Sequence, residues 1–269
     1  MKRPTDSQPP DLGAFSLAGR VVLVTGATGR VGRIIATALC GAGAHLLVGS
    51  RRKAAAAEVV ASLSESGGTA SPLVLDPASV ASVERAVRHI KQEHGRIDAL
   101  FNNAVAVSTG RLEAYAVKDW IRVMRCNSTS LFVMCQTFGR VMSAQGFGTI
   151  VNVGSIYGVV SPSFDVYRGL EPFTSPPSYA FAKGGMIQLT RYLATYLGPH
   201  GVTVNCLSLG GLRSKEVPPQ LARRYGRRTA LGRMAEPADF GPAAVFLAGV
   251  GARYITGQNV VVDGGYSAA

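Results

Sequence analysis

The sequence is poor in cysteine, in acidic residues and in long apolar runs. Its 269 residues include 4 Cys, and 16 Asp+Glu stand against 28 Lys+Arg. The cysteines are widely spaced and form no Cys-x-x-Cys pair, which argues against a disulfide framework and against a zinc site. No apolar run is long enough to cross a bilayer, and residues 1–10 lack the apolar segment of a signal peptide. We therefore expect a soluble, cytoplasmic protein without a metal site and without a membrane partner.

The remaining composition is that of a folded domain with a strong basic excess. Hydrophobic residues make up 47% of the chain, and the 32 Gly and 14 Pro follow no period, which argues against collagen and against disorder. The formal net charge of +12 is compatible with binding to nucleic acid, to an anionic membrane surface or to an anionic small ligand. The sequence carries no helix-turn-helix, zinc-finger or RNA-recognition signature, so we expect no nucleic-acid partner.

Short β-branched runs alternate with helical periodicity along most of the chain. The predicted strands are Val21–Thr25, His45–Gly49, Leu73–Leu75, Ala99–Asn102, Thr149–Val153, Thr203–Leu207 and Asn259–Val262. The predicted helices are Val31–Cys40, Ala54–Ser64, Ala78–Glu93, Lys118–Ala144 (long or broken), Tyr179–Leu197 and Pro237–Ala248. Strands separated by helices need right-handed crossovers, which produce a parallel sheet covered on both faces. We predict a flexible leader over residues 1–16 and a single α/β domain over residues 17–269, with a doubly wound, parallel, seven-stranded sheet.

The first predicted strand runs directly into a glycine-rich turn and then a helix. Glycines let the backbone approach a ligand closely, and the free amides and dipole of a helix N-terminus favour an anion. This pattern predicts a pyrophosphate site in a Rossmann-type domain, although such turns also occur for purely geometric reasons. The candidate cofactor contacts in the turn are Thr25, Gly26, Thr28, Gly29, Arg30, Val31 and Gly32.

The end of the second strand indicates which dinucleotide binds. A carboxylate at this place accepts hydrogen bonds from the ribose hydroxyls of NAD, whereas arginine accommodates the 2′-phosphate of NADP. This chain has Ser50 at the position of the acid, followed by Arg51 and Arg52. We predict NADP(H); the alternative is a solvated basic start to the next helix. After the third strand, Asp76 either accepts from the adenine amino group or caps the next helix, and the two roles are compatible.

Four further features follow in chain order. Asn103 and Ala104 follow the fourth strand, Asn127 lies in a helical region, Ser155 follows the fifth strand, and Tyr179 and Lys183 are four residues apart, on one helix face. In this order, behind a nucleotide-binding turn, these features resemble the short-chain dehydrogenase/reductase family in its classical form. The resemblance covers about residues 17–266.

The resemblance implies a role for each matching residue. Tyr179 corresponds to the proton donor and acceptor, Lys183 to the residue that lowers the tyrosine pKa and holds the nicotinamide ribose, and Ser155 to the hydroxyl that orients the substrate oxygen. Asn127 corresponds to the asparagine that anchors a water in the proton relay. A tyrosine has an ordinary pKa near 10, so a neighbouring cation is needed to produce a useful phenolate. These roles imply reduction of a ketone or aldehyde to an alcohol by NADPH, or the reverse reaction.

The resemblance also implies contacts beyond these four residues, which form the catalytic tetrad of the family. Asn103 and Ala104 belong to the cofactor site, and the segment after the sixth strand, with Gly210, Leu212 and Ser214, closes over the nicotinamide. The last strand and the helix before it commonly form a tetramer interface in the family. We therefore expect a homo-oligomer, either a dimer or a tetramer.

Three departures from the family pattern keep a second class of function open. The turn has the spacing TGxxGxxG instead of TGxxxGxG, Val105 replaces a glycine, and Leu209 replaces a proline. Arg30 could reach either the 2′-phosphate or the pyrophosphate. A non-catalytic NADP(H)-sensing protein is the alternative to an enzyme, and the complete tetrad favours the enzyme.

Two segments are candidates for substrate selection. Ser155 and Tyr179 are 24 positions apart, which leaves a long lid segment (residues 156–178); variable surface is the alternative. Among its residues are Phe164, Asp165, Tyr167, Arg168 and Glu171. This elongated segment is similar to short-chain reductases of bacterial sugar-modification pathways, and a ketoreductase of polyketides or other secondary metabolites is the alternative.

The second segment is a basic flap (residues 212–233) with seven basic residues and one acid, Glu216. The basic residues are Arg213, Lys215, Arg223, Arg224, Arg227, Arg228 and Arg233. In the family the corresponding segment is a mobile flap over the substrate, which favours an anionic substrate. A solvated amphipathic helix is the equally weighted alternative.

Overall fold

The computed structural model describes residues 12–170 and 174–268. Seven parallel strands form one sheet in the order β3-β2-β1-β4-β5-β6-β7. The strands are β1 (Val21–Thr25), β2 (His45–Ser50), β3 (Thr69–Val74), β4 (Ala99–Asn102), β5 (Gly148–Ser155), β6 (Val202–Leu209) and β7 (Asn259–Val262). The predicted α/β class and doubly wound seven-stranded sheet are confirmed.

Helices cover both faces of the sheet. They are α1 (Arg30–Gly41), α2 (Lys53–Glu65), α3 (Val80–His94), α4 (Val117–Met124), α5 (Ser130–Gln145), α6 (Pro177–Leu197), α7 (Pro219–Gly226) and α8 (Pro237–Ala248). Successive side chains of a strand point to opposite faces. Accordingly, Val22 and Val24 pack in the core layer of α1, α2 and α8, and Leu23 packs in the layer of α3, α5 and α6.

Most predicted elements agree with the structure to within two residues at each end, and two differ more. The predicted helix Lys118–Ala144 is broken, because a π-helical turn at Arg125–Thr129 separates α4 from α5. The third strand begins at Thr69 rather than Leu73, and Pro72 within it pairs with Val48. Proline is tolerated there because β3 is an edge strand.

Two further segments differ from the expectation. Residues 219–226 of the basic flap form α7, which agrees with the amphipathic helix considered as the alternative for this segment. Within the predicted flexible leader, Leu12–Phe15 form a short 3-10 helix, and the Phe15 ring lies 6.2 Å from the Phe246 ring. The rest of the predicted leader, residues 1–11, and Glu171 lie outside the described residues. Within the described ranges, no helix combines the length and apolarity that a membrane span requires.

The sheet order places the functional residues. The chain leaves β1 in one direction to β2 and β3, and returns to the other side of β1 at β4, so a crevice opens at the carboxyl ends of β1 and β4. Ligands of open α/β sheets bind at such a switch point. Thr25, Ser50, Asn102 and Ser155 all end their strands on this edge.

Candidate active site

Two neighbouring cavities occupy the carboxyl edge of the sheet. The larger measures about 1030 Å³ and is lined by the glycine-rich turn and the ends of β2 and β3. The smaller measures about 270 Å³ and is lined by Ser155, Tyr179 and Lys183. Val31, Asn103 and Val105 line both, so the two cavities form one continuous site. This shape suits a long ligand that ends beside a small one.

The glycine-rich turn is built for close approach of backbone. Gly26 has φ +64°, and a Cβ there would lie 2.8 Å from Ala104 Cα. A Cβ on Gly32 would lie 2.2 Å from the Gly26 carbonyl oxygen. At Gly29, by contrast, a Cβ would meet only that carbonyl oxygen among the described residues, at 3.4 Å, and Gly29 lines the larger cavity. The turn therefore needs Gly26 and Gly32 for its own fold, and Gly29 leaves space for a ligand.

Asn103 and Thr25 hold the turn in place. Asn103 Nδ2 donates to the carbonyl oxygens of Thr25 and Gly26, both at 3.0 Å. Thr25 Oγ1 accepts from the backbone N–H groups of Asn103 at 3.0 Å and Ala104 at 3.1 Å. Thr25 does not line the larger cavity, whereas Asn103 and Ala104 do. Thr25 thus supports the predicted cofactor site from behind.

Arginines dominate the far end of the larger cavity. Ser50, Arg51, Arg52 and Asp76 line it, as the sequence predicted for cofactor contacts. Both arginine residues are exposed, and Ser50 Oγ accepts from the backbone N–H of Arg52 at 3.2 Å. No carboxylate ends β2.

Asp76 closes a turn and does not cap the helix. Its Oδ1 accepts from the backbone N–H of Ala78 at 3.0 Å. Helix α3 begins only at Val80, and its N-cap is Ser79, whose Oγ accepts from the Ser82 N–H at 3.3 Å. The alternative role of Asp76 as N-cap is therefore wrong, and a contact with adenine stays a prediction.

Sequence reasoning missed part of this cavity. Arg122, Arg125, Cys126 and Ser130 also line it, from α4, the π-helical turn and α5. Arg122 is partly neutralised by Asp119, at 3.4 Å. Charged residues on a helix are usually solvated, so nothing in the local pattern singles these arginines out. The proximity of Arg125 to Asn127 in the chain was the available signal.

Ser155 and Tyr179 meet in the smaller cavity. Ser155 ends β5 and is buried, and Tyr179 lies in the first turn of α6. Burial raises the pKa of Tyr179 above its ordinary value of 10, and a hydrogen bond with Ser155 opposes that rise. The tyrosine is therefore a neutral hydroxyl at neutral pH, in contact with the serine.

Lys183 lies one helical turn further along α6, beneath Tyr179. Its side chain is 5% exposed, and Nζ donates to the Val153 carbonyl oxygen at 2.5 Å and lies 5.6 Å from the centre of the Tyr179 ring. Burial lowers the pKa of Lys183 from 10.5 to about 8. The ammonium is thus held close enough to stabilise negative charge on the tyrosine.

Asn127 lies in the π-helical turn behind the cavity and does not line it. Its Oδ1 accepts from the backbone N–H of Ala106 at 2.7 Å, and its Nδ2 donates to the carbonyl oxygen of the same residue at 2.8 Å. The side chain thus clamps the backbone of Ala106. π-Helical turns occur frequently at functional sites, and an anchored water would bind the backbone of this turn rather than the amide group.

Only part of the segment after β6 lines the smaller cavity. Gly210 and Leu212 line the smaller cavity, as expected for contacts near the nicotinamide. Ser214 lines neither cavity, and its hydroxyl accepts a hydrogen bond from Arg30 Nη1 at 2.5 Å. A contact between Ser214 and the carboxamide stays a prediction.

The lid segment and the basic flap close the smaller cavity together. The lid segment contributes Ile156, Tyr157 and Tyr167, and the flap contributes Leu221 and Tyr225. In the described part of the chain, none of the seven basic residues of the flap lines this cavity. The flap therefore presents its apolar face to the cavity.

These observations test whether a nicotinamide dinucleotide fits. The space at Gly29, the start of α1 and the arginines of the larger cavity match the needs of a pyrophosphate and an added phosphate. A family model described as enoyl-(acyl carrier protein) reductase matches residues 26–267. The chain belongs to the short-chain dehydrogenase/reductase family.

Several members of this short-chain dehydrogenase/reductase family are similar over nearly their whole length. The chain is 31% identical over 261 residues to the rhamnolipids biosynthesis 3-oxoacyl-(acyl-carrier-protein) reductase of Pseudomonas aeruginosa, covering 94% of this chain and 98% of that protein. It is 32% identical over 257 residues to the D-threitol dehydrogenase of Mycolicibacterium smegmatis, covering 94% and 95%. The protein is thus an oxidoreductase of this family, with ketoreductases and alcohol dehydrogenases among its relatives.

A solved structure supports the same assignment. The gluconate 5-dehydrogenase of Burkholderia cenocepacia, in complex with NADP and tartrate, matches with a TM-score of 0.87 and 28% identity, over 96% of this chain and 99% of that one. That enzyme's cofactor is compatible with the arginines described above.

Proposed function

We propose that the protein is an NADP(H)-dependent oxidoreductase that interconverts a ketone or aldehyde and an alcohol. The observation that carries the cofactor choice is the arginine-rich end of the larger cavity, where Arg51 and Arg52 follow a strand that ends without a carboxylate. A carboxylate there would select NAD and repel a 2′-phosphate. The NADP complex of the Burkholderia relative supports the same choice.

The side chains of the smaller cavity supply the acid and base of the reaction. When bound, the nicotinamide donates or accepts the hydride. In the reductive direction Tyr179 donates its proton to the oxygen that becomes an alkoxide, and Ser155 donates a hydrogen bond to the same oxygen. The Lys183 ammonium, close to the Tyr179 ring, stabilises the resulting phenolate. Asn127 fixes the backbone behind them.

The size of the smaller cavity favours a small substrate. Its volume of about 270 Å³ is below the usual range for ligand sites, roughly 300–1,000 Å³. Relatives named as D-threitol and gluconate dehydrogenases act on small polyhydroxylated molecules. We propose a sugar-like or polyol substrate of this size. An acyl-carrier substrate, as in the Pseudomonas relative, is the second candidate, because a long acyl chain would have to leave through the opening of the cavity.

Initial-rate kinetics with purified protein test the proposal. A panel of small ketones and polyols is assayed with NADPH or NADP⁺ and with NADH or NAD⁺, and we expect kcat/KM to be at least about tenfold higher with the phosphorylated cofactor, as expected from one charge-assisted hydrogen bond. Equal use of NADH contradicts the cofactor choice. Tyr179→Phe should abolish turnover while NADPH still binds, which the quenching of protein fluorescence measures. Turnover by this variant contradicts the role of Tyr179.

The non-catalytic alternative gives a different result in the same assays. A sensor would bind NADPH and turn over no substrate. Assembly as a dimer or tetramer stays a prediction, which light scattering of the purified protein measures.

A further inference from the structure

We infer that the smaller cavity selects an uncharged substrate with a hydroxyl group beside the reacting carbon, and that Tyr157 and Tyr167 are the specificity-determining residues that bind this hydroxyl. The inference rests on the proposed function and adds the substrate's chemistry to it. It assigns recognition of the substrate to these two tyrosines and not to the basic residues of the flap.

The charge of the cavity argues against an anionic substrate. Lys183 is the one ionisable cation or carboxylate among the described residues that line it, and its Nζ already donates to Val153. Burying a carboxylate or phosphate without a paired cation is strongly unfavourable. An anionic substrate would therefore find no counter-ion beyond the lysine that serves Tyr179.

The basic residues of the flap have other positions. Arg224 Nη1 donates to the carbonyl oxygen of Arg168 in the lid segment at 2.6 Å. Arg233 forms two hydrogen bonds with the Asp239 carboxylate, at 2.6 Å and 2.9 Å. Arg223, Arg227 and Arg228 are exposed. Helix α7, which contains Arg223 and Arg224, is fixed in this orientation because its Leu221, Ala222 and Tyr225 are buried.

Two tyrosine hydroxyls provide the polar recognition that the arginines do not. Tyr157 lies two residues after Ser155, and its backbone N–H donates to Ser155 Oγ at 3.2 Å. Tyr167 lies in the second 3-10 turn of the lid segment. The two hydroxyls are hydrogen-bonded to each other, and both tyrosines line the cavity.

The chemistry of this pair matches an alcohol. In a pair of hydrogen-bonded hydroxyls, one O–H is used as the internal donor, which leaves the other O–H free to donate and leaves lone pairs free to accept. An alcohol group of a ligand can satisfy both. Burial raises the pKa of Tyr157 above its ordinary value and that of Tyr167 to about 12, so both hydroxyls are neutral at neutral pH.

The surrounding rings hold the pair close to the reacting groups. The Tyr157 ring packs edge-on against Tyr266, with ring centres 6.4 Å apart, and Tyr225 stacks on Tyr266 at 4.8 Å. Tyr225 is itself fixed, because its hydroxyl accepts from the Gly211 N–H at 2.6 Å. Tyr157 lies two residues after Ser155, and the hydrogen-bonded tyrosine pair lines the same cavity as Ser155 and Tyr179.

Three alcohols with the same four-carbon chain test the inference in the oxidative direction with NADP⁺. Threitol is neutral and polyhydroxylated, threonate is its carboxylate analogue, and 2-butanol lacks the neighbouring hydroxyls. We expect kcat/KM for threitol to exceed that for each of the others by at least about tenfold. A ratio of this size corresponds to the contribution of one good hydrogen bond to binding. A preference for threonate would overturn the inference.

Substitutions of the two tyrosines test whether they bind the substrate hydroxyl. Tyr157→Phe and Tyr167→Phe should each lower kcat/KM for threitol by about tenfold, mainly through KM, and leave that for 2-butanol within about twofold. Tyr192→Phe, an exposed tyrosine on the outer side of α6, is the matched control and should change neither value. An equal loss for both alcohols in the two cavity variants would mean a structural role and would overturn the inference.

A binding measurement separates this inference from the proposed function. If the protein turned over no alcohol or ketone with any cofactor, the proposed function would fail. The thermal midpoint of the NADP⁺-saturated protein would still report the cavity's preference. Stabilisation by threitol that is lost in Tyr157→Phe supports the inference, and stabilisation by threonate alone contradicts it.

Discussion

Arg30 Nη1 lies 3.1 Å from Glu216 Oε2, so the first turn of α1 is tied to the segment before α7. Hydrogen bonding with Ser214 and the charge of Arg30 lower the pKa of Glu216. The two side chains are 63% and 72% exposed. Because Arg30 also lines the larger cavity, the same guanidinium can pair either with Glu216 or with a phosphate of the cofactor.

Removing the charge of Glu216 should therefore release Arg30 for the cofactor. We expect Glu216→Gln to lower the KM for NADPH by about two- to fivefold, since an exposed ion pair is weak. The difference should shrink at high salt, where exposed charges are screened. Glu113→Gln, at an exposed ion pair with Arg111, is the control and should leave KM unchanged. A higher KM in Glu216→Gln would mean that the pair orders the site instead.

Arg51 and Arg52 should carry the preference for the phosphorylated cofactor. Replacing both by alanine removes charge-assisted hydrogen bonds to the 2′-phosphate, which contribute about 1.5–3 kcal/mol each. We expect the KM for NADPH to rise by roughly 10–100-fold and the KM for NADH to change by less than about threefold. Arg140→Ala, at an exposed site outside both cavities of the candidate active site, controls for net charge. Equal rises with both cofactors would argue against phosphate recognition.

Gly29 and Gly32 should respond differently to alanine. At Gly32 the new Cβ would lie 2.2 Å from the Gly26 carbonyl oxygen, so we expect unfolding to become easier by about 1–3 kcal/mol or more. At Gly29 the nearest described atom is 3.4 Å away, so stability should change by less than about 1 kcal/mol. The methyl group would instead occupy ligand space, and NADPH affinity should fall by about tenfold. Urea unfolding and fluorescence titration measure the two effects separately, and intact NADPH affinity in Gly29→Ala would place the pyrophosphate elsewhere.

Lys183 should make the fold less stable at neutral pH than at alkaline pH. Its pKa is lowered by burial from 10.5 to about 8, so between these values the unfolded chain binds the proton and the folded chain does not. Stability therefore rises as pH rises through this window, and below about pH 8 the full cost of the buried charge applies. Burying the charged ammonium costs about 3 kcal/mol of folding free energy, and the hydrogen bond from Nζ to the Val153 carbonyl oxygen offsets part of this cost.

Lys183→Met tests this sign. We expect the variant to be more stable than the wild type by roughly 1–2 kcal/mol at about pH 7, with the advantage shrinking towards about pH 10, as urea unfolding measures. Its turnover should be lost at both pH values. Lys215→Met, at an exposed lysine, should show no dependence on pH. A variant that is less stable at neutral pH would show that the lysine stabilises the fold.

Local patterns predicted most of the fold because they are read within single elements. The spans Val21–Thr25, Ala99–Asn102 and Pro237–Ala248 agree with the structure at both ends. The prediction for β3 began too late at Leu73, because the strand runs through Pro72, which is tolerated at the edge of the sheet. For α7 the sequence offered an amphipathic helix as an alternative without bounds, and the structure buries four of its eight residues.

The order of residues was enough to predict the parallel sheet, the glycine-rich turn, and the spacing of Ser155, Tyr179 and Lys183. Strand and helix periods and the four-residue helical repeat act over short distances, so they are visible in the order of residues. The set of residues that surround the ligand became visible in the folded structure alone, because it depends on how elements far apart in the chain pack. It brought Arg122 and Arg125 to the larger cavity, turned the arginines of the basic flap outwards by burying its apolar face, and joined Tyr157 to Tyr167.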